Sequence, residues 1–97
     1  MSYQVTCTFD LKGADSDDYV NAYADLKMIG LERVVAGSKR SVVMPTTMTL
    51  GEFDGQSAVA VRDSIRERIR IAFERRRFRS EIFVTVGKDG TWGAGTT

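Results

Sequence analysis

The chain contains no histidine and only one cysteine, Cys7, among its 97 residues. Without histidine it cannot build a Ser-His-Asp triad, a Cys-His pair or a zinc site of the usual composition. Any metal ion would therefore be bound by oxygen ligands, which favours magnesium, manganese or calcium. Cys7 cannot form an internal disulfide and has no histidine to activate it, so we interpret it as a buried core residue.

Long apolar runs are also missing. No stretch approaches the roughly 20 residues that a membrane-crossing helix needs, and the N-terminus lacks the basic and then apolar layout of a signal peptide. We therefore expect a cytoplasmic protein that makes no membrane contact. The length suits one domain with one core, which we place at residues 1–87. Residues 88–97, a glycine-rich segment, are expected to form a flexible tail.

Charge is distributed unevenly, although the formal net charge is only +1. Residues 10–25 hold five aspartates and one lysine, whereas residues 62–79 hold eight arginines and three acids. The front of the chain is thus acidic and the back is basic. A basic surface of this kind favours an anionic partner, either a nucleic acid or an acidic protein.

The first half of the domain begins with a strand and a helix. Residues 3–11 alternate strictly between apolar and polar, which is typical of a half-buried strand. Asp15 or Ser16 can cap a helix whose apolar residues recur every three or four positions, and Gly30 suits its C-terminus. Residues 31–36 are predicted to form a second strand.

The second half of the domain contains a link, a strand, a helix and a final strand. Residues 37–45 are expected to be an irregular link, and residues 46–53 a third strand. Ser57 can cap a second helix with an apolar stripe that runs from Ala58 to Ala72. Residues 81–87 are predicted to form the fourth strand.

The resulting order predicts an α+β, ferredoxin-like βαββαβ fold. Right-handed crossovers would place both helices on one face of a four-stranded antiparallel sheet, leaving the other face free. A small domain with one uncovered sheet face often finds a partner. We therefore expect a homodimer, formed through the sheet or through the C-terminal strand.

The N-terminal segment also resembles a known family. The strand "YQVTCTFDL" followed by the helix "DYVNAYADLKMIGLERV" is similar to the CRISPR-associated Cas-two-like group and its relatives, virulence-associated protein D and the GhoS-type RNA-cleaving antitoxins. These are small ferredoxin-like homodimers described as metal-assisted nucleases. The resemblance covers residues 3–36 in motif. It implies an endoribonuclease whose catalytic carboxylate and metal ligand is Asp10, with Mg²⁺ or Mn²⁺ as cofactor.

Two interpretations of Asp10 remain open from the residues alone. Two copies of Asp10 brought together across a two-fold axis would form a paired-carboxylate site for a hard cation. Alternatively, Asp10 ends its strand as a turn residue, helped by Gly13.

The arginine-rich segment likewise has two interpretations. Its cations and one aromatic ring could bind phosphates and stack on a base, in either RNA or DNA; the candidate nucleic-acid-binding residues are Arg66, Arg70, Arg75, Arg76, Arg77, Phe78 and Arg79. Alternatively, this is a solvated helix in which pairs such as Arg62–Glu67 and Arg70–Glu74 offset the charge. The sequence thus supports two hypotheses: a nucleic-acid-binding homodimer that cleaves RNA, or a non-catalytic interaction module such as an antitoxin or a phage or plasmid regulator.

Overall fold

Five strands and two helices form within residues 1–36, 41–43, 47–88 and 93, the part of the chain that this computed structural model describes. In chain order they are β1 (Ser2–Leu11), α1 (Ser16–Ile29), β2 (Val34–Ala36), β3 (Ser41–Val43), β4 (Met48–Asp54), α2 (Ala58–Arg75) and β5 (Ser80–Lys88). β1 is the central strand of a three-stranded antiparallel sheet, between β4 and β5. The fold is α+β and compatible with a ferredoxin-like arrangement.

The prediction of a four-stranded sheet is wrong for the described residues. From the segment 31–36 only Glu32 reaches the sheet, through a bridge to Leu50 with two backbone hydrogen bonds of 2.9 Å. The chain then forms a separate hairpin in which β2 pairs with β3. The predicted irregular link is therefore also partly wrong, because residues 41–43 are a strand. Both hairpin strands contain β-branched valines and are close in sequence, so their pairing costs little loop-closure entropy.

The core forms between one face of the sheet and both helices. The predicted alternation of β1 is confirmed, because its apolar residues are all buried while Asp10 is exposed. The buried apolar residues are Tyr3, Val5, Cys7, Phe9 and Leu11 of β1, Ala22 and Leu26 of α1, Leu31 shortly after α1, Leu50 of β4, and Val61, Ile65, Ile69 and Phe73 of α2. Burial raises the pKa of the Cys7 thiol to about 12, so this thiol stays protonated and unreactive at neutral pH.

Both helices begin at side-chain caps that the sequence indicates. The Asp15 side chain accepts a hydrogen bond from the Asp18 amide, and the Asp18 side chain accepts one from the Asp15 amide, which forms a capping box. The Ser57 hydroxyl accepts from the Ala60 amide in the same way. These caps satisfy amides that have no partner inside the helix.

Both helices also end in a left-handed residue. Gly30, with φ of 113°, ends α1, and Arg77, with φ of 59°, follows α2. After α2 the Phe78 amide donates to the Phe73 carbonyl at 3.0 Å, and the Arg77 amide donates to the Glu74 carbonyl at 2.9 Å. The Phe73 and Phe78 rings meet edge to face, with centroids 5.6 Å apart. This is a Schellman ending with its hydrophobic contact, and it directs the chain back into β5.

Neither described helix combines the length and the hydropathy that a membrane crossing needs. At the C-terminus β5 extends to Lys88, so the first residue of the predicted tail belongs to a strand. The rest of that tail, apart from Gly93, lies outside the described residues.

Candidate functional site

Asp10 lies at the C-terminal end of β1, on the sheet face opposite the core. Its side chain is exposed, and the Tyr19 hydroxyl from α1 donates to its Oδ1 at 3.3 Å. The same hydroxyl accepts from the Leu11 amide at 3.3 Å. The Leu11 carbonyl oxygen also lies 3.3 Å from this hydroxyl, so Asp10 and the backbone of Leu11 compete for the single Tyr19 proton.

A second carboxylate faces Asp10 from the neighbouring strand. The register between β1 and β5 pairs Asp10 with Glu81, so both side chains lie on the same sheet face. Lys12 forms an ion pair with Glu81, with 2.8 Å between Nζ and Oε1. This hydrogen bond and the charge of Lys12 lower the pKa of Glu81. The same hydrogen bond and the charge of Glu81 raise the pKa of Lys12. The sequence analysis missed Glu81, because only the register between the strands places it beside Asp10.

The donor set of one protomer does not fit a resident divalent metal ion. Within the described residues, no group of three or more Asp, Glu, Cys or His side chains lies close enough together to hold one. Asp10 and Glu81 contribute two carboxylates, and Lys12 already neutralises Glu81. Hard cations prefer more oxygen ligands than this pair supplies. The pair would fit a magnesium or manganese ion only if a second chain added ligands.

Several of the predicted phosphate-binding arginines are engaged in ion pairs within the chain. Arg66 contacts Asp63 at 3.3 Å, and Arg70 contacts both Glu67, at 2.6 Å, and Glu74. The expected pair Arg70–Glu74 is thus confirmed. The expected pair Arg62–Glu67 is wrong, because Arg62 contacts Asp63 and Glu67 contacts Arg70. These carboxylates already offset part of the positive charge of Arg66 and Arg70 when no ligand is bound.

Arg76 forms the bidentate ion pair that links the two helices. Its Nε and Nη2 atoms donate to the Asp25 carboxylate of α1 at 2.6 and 2.9 Å. The side chain of Asp25 is only 17% exposed, and the bond raises the pKa of Arg76. Arg76 therefore ties the C-terminal end of α2 to α1, a structural task that the sequence analysis did not predict.

Three arginines, Arg75, Arg77 and Arg79, form what we call the arginine tip. All three are exposed, and none has an acidic partner within the described residues. The Lys12 amide donates to the Arg79 carbonyl at 2.8 Å, which places the tip next to the end of β1. The fold therefore brings the basic segment and the segment around Asp10 to the same end of the molecule.

Phe78 lies between two residues of the arginine tip. It is partly buried and packs against the core through its edge-to-face contact with Phe73. This contact leaves only part of its ring accessible from outside. Its predicted role in stacking on a base stays a prediction.

A groove runs between the two helices, and we call it the helix groove. It has a volume of about 430 Å³ and is lined by Asp25, Met28, Ile29, Arg68, Ala72, Arg75 and Arg76. The sequence analysis did not single out Arg68. Met28 is expected from its residue type to fill the core, and this prediction is wrong, because its side chain is 88% exposed. Arg68 is one of many arginines in its segment, and the position of Met28 beside α2 depends on how the helices pack.

Comparisons with protein-family models, with curated proteins and with solved structures found no match for this chain.

Proposed function

We propose that this protein is a homodimer that binds nucleic acid through the arginine tip. The observation that carries the proposal is the clustering of three exposed guanidinium groups, without acidic partners in the described chain, at one end of the molecule. Exposed, uncompensated arginines attract phosphates and release the counterions condensed on a nucleic acid. The paired arginines Arg66, Arg70 and Arg76 have a smaller part in this proposal than the sequence predicted.

The geometry of the tip supports contact with successive phosphates. Arg75 is in the last turn of α2, Arg77 follows the helix in a left-handed conformation, and Arg79 directly precedes β5. Because the chain changes direction here, the three side chains spread over one end of the domain instead of forming a single helical stripe. Arginine forks suit bidentate contact with phosphate oxygens.

β5 supports the homodimer. It pairs with β1 along one edge, and within the described residues no strand pairs with its other edge. Its inward side chains Ile82, Val84 and Val86 are only half-buried, and Phe83 on the opposite face is 66% exposed. A free edge with accessible apolar side chains favours pairing with another strand. A second copy would extend the sheet through β5, the C-terminal strand, and would bring two arginine tips into one assembly.

Binding of a single-stranded RNA of about 20 nucleotides, measured by fluorescence anisotropy over a series of salt concentrations, tests the nucleic-acid proposal. The parent protein should lose affinity steeply as salt rises. The triple variant Arg75→Ala, Arg77→Ala, Arg79→Ala should reduce the slope of log K against log salt by about 0.7 for each phosphate that the protein no longer neutralises. A DNA of the same length, measured in parallel, shows which nucleic acid the tip prefers.

The matched control is the double variant Arg66→Ala, Arg70→Ala, which removes the same kind of side chain where acids already pair with it. This control should leave the slope nearly unchanged. Absence of RNA and DNA binding at about 50 mM salt, or an equal loss in both variants, contradicts the proposal.

A second candidate function is metal-dependent cleavage of RNA, and the register that places Glu81 opposite Asp10 favours it. Asp10→Asn keeps the size of the side chain and its ability to accept from Tyr19, but removes the charge. If the carboxylate pairs of two protomers act in cleavage, this variant should lose nearly all metal-dependent activity while it still binds RNA. The measurement is gel-based RNA cleavage with Mg²⁺ or Mn²⁺, and with a chelator as control.

The parent protein could bind RNA without cleaving it, or Asp10→Asn could cleave as fast as the parent. Either result would show that Asp10 only ends its strand and has no catalytic role. The protein would then be a non-catalytic module of the antitoxin or regulator type. In that case Asp10→Asn should change the free energy of unfolding by less than about 1 kcal/mol.

A further inference from the structure

We propose that the helix groove is a docking site for an acidic amphipathic helix of a partner protein. The groove shares Arg75 with the arginine tip, but Arg68 and Met28 lie outside the tip, so variants at these two residues test the docking site separately from nucleic-acid binding. The proposal rests on three features of the groove: its unbalanced positive charge, its exposed apolar side chains and its length.

The positive charge lies on the α2 side of the groove. Arg68 and Arg75 both line it, and neither has an acidic partner within the described residues. The one acid in the lining, Asp25, is already held by both nitrogen donors of Arg76. The groove therefore presents two guanidinium groups that a partner's carboxylates can neutralise.

The spacing of these two cations matches a helix better than a nucleic acid. Arg68 and Arg75 are seven residues apart on α2, which corresponds to about 10.5 Å along the helix axis. Acidic residues at positions i and i+7 of a facing helix have the same separation. Successive phosphates of a single strand are closer together, and no aromatic side chain lines this groove for a base to stack on.

The apolar side chains complete the amphipathic pattern. Met28, on the α1 side, is 88% exposed, and Ile29 and Ala72 form the floor. Large apolar side chains that border a groove and are exposed to water are typical of helix-binding surfaces, and methionine adapts well to a partner's shape.

The length of the groove suits a short helical segment. Its α2 lining extends from Arg68 to Arg76, which is about 12 Å of helix, or about two turns. Arg68 also lines a second cavity of about 240 Å³, but that cavity contains the exposed Asp54, which would repel an acidic helix, so the docking site is the helix groove alone.

The test uses a synthetic, fluorescein-labelled and stapled helix of about 16 residues, with glutamates seven positions apart and leucines between them. Anisotropy titration should show saturable binding in the micromolar range, about −8 kcal/mol or weaker. Arg68→Ala and Met28→Asp should each weaken the binding at least about tenfold. The matched control is Arg66→Ala, an exposed arginine two residues away that does not line the groove, and it should leave the affinity unchanged.

Circular dichroism checks that the variants fold, which we expect because both substituted side chains lie at the surface. Failure of the stapled helix to saturate at concentrations up to about 200 µM overturns the proposal. Equal affinity of the parent and of Arg68→Ala also overturns it. If RNA occupies this groove instead, Arg68→Ala weakens RNA binding and the stapled helix does not bind, which overturns the proposal.

Discussion

At the scale of single residues, the most informative pair is Lys12 and Glu81, beside Asp10. The hydrogen bond from Lys12 and its charge hold the pKa of Glu81 below its usual range. Two carboxylates directly opposite each other on one sheet face would otherwise repel. Lys12 therefore favours the ionised form of Glu81 on the strand beside Asp10, a role that the sequence analysis did not predict.

We predict that Lys12→Gln raises the pKa of Glu81, because the variant removes the ammonium group and leaves the charge of Asp10 nearby. The lowered pKa means that the ion pair stabilises the fold above the usual glutamate pKa of about 4.3. This stabilisation is lost as the pH falls through the lower folded-state pKa. In Lys12→Gln, the ion pair is missing, so the stability of the protein should lack this contribution at every pH at which Glu81 is ionised.

The measurement is an NMR titration of the side-chain carboxyl groups. Glu67 is the internal control, since its pKa is lowered by a hydrogen bond from Arg70 on α2. Its titration midpoint should be the same in parent and variant. An unchanged midpoint of Glu81 in Lys12→Gln would show that Lys12 has no electrostatic influence on the site.

At the scale of the elements, the end of α2 shows a local conflict. Arg77 adopts a φ of 59°, a region that glycine enters at little cost and that other residues rarely adopt. The hydrogen bonds of the helix ending and the contact between Phe73 and Phe78 hold this conformation. The conformation has a structural purpose, because it completes the Schellman ending of α2 and directs the chain into β5.

We predict that Arg77→Gly increases the free energy of unfolding by about 0.5–1 kcal/mol, because glycine relieves the backbone strain at this position. Urea denaturation followed by circular dichroism measures the change. The control is Arg68→Gly in the interior of α2, which should destabilise the protein by about 1 kcal/mol. A variant Arg77→Gly that is no more stable than the parent would show that the left-handed residue causes no strain.

At the scale of the whole molecule, β5 is the edge strand that the described chain leaves incomplete. β4 at the opposite edge receives at least the bridge from Glu32, whereas no described strand pairs with the outer edge of β5. The inward side chains of β1 are fully buried, whereas those of β5 are only half-buried.

We predict that the protein has twice its chain mass of 10.8 kDa in solution, measured by light scattering at micromolar concentration. Phe83→Lys should shift the population toward the monomer, because it places charges beside each other at the proposed β5 contact. Val20→Lys is the control, since Val20 is similarly exposed on α1. A parent protein with the mass of a single chain contradicts the homodimer.

The sequence by itself determined the features that depend on short-range periodicity. Alternation over residues 3–11 predicted which face of β1 is buried, and the caps Asp15, Ser57 and Gly30 predicted where the helices begin and where α1 ends. These features follow from contacts between residues close in the chain. The resemblance that implied Asp10 as a metal ligand remains a prediction.

Only the tertiary structure decided which charged groups meet. Glu81 lies opposite Asp10 because of the register between two strands that are distant in sequence, and Arg76 reaches Asp25 because α2 packs beside α1. The same packing leaves the guanidinium groups of Arg75, Arg77 and Arg79 exposed and without acidic partners in the described chain, although they belong to the same run as Arg76. Composition and spacing describe charges along one chain, but pairing depends on distances across elements. For this reason, arginines that look alike in the sequence differ in the fold: Arg76 is held in an ion pair with Asp25, whereas Arg75, Arg77 and Arg79 are exposed to external ligands.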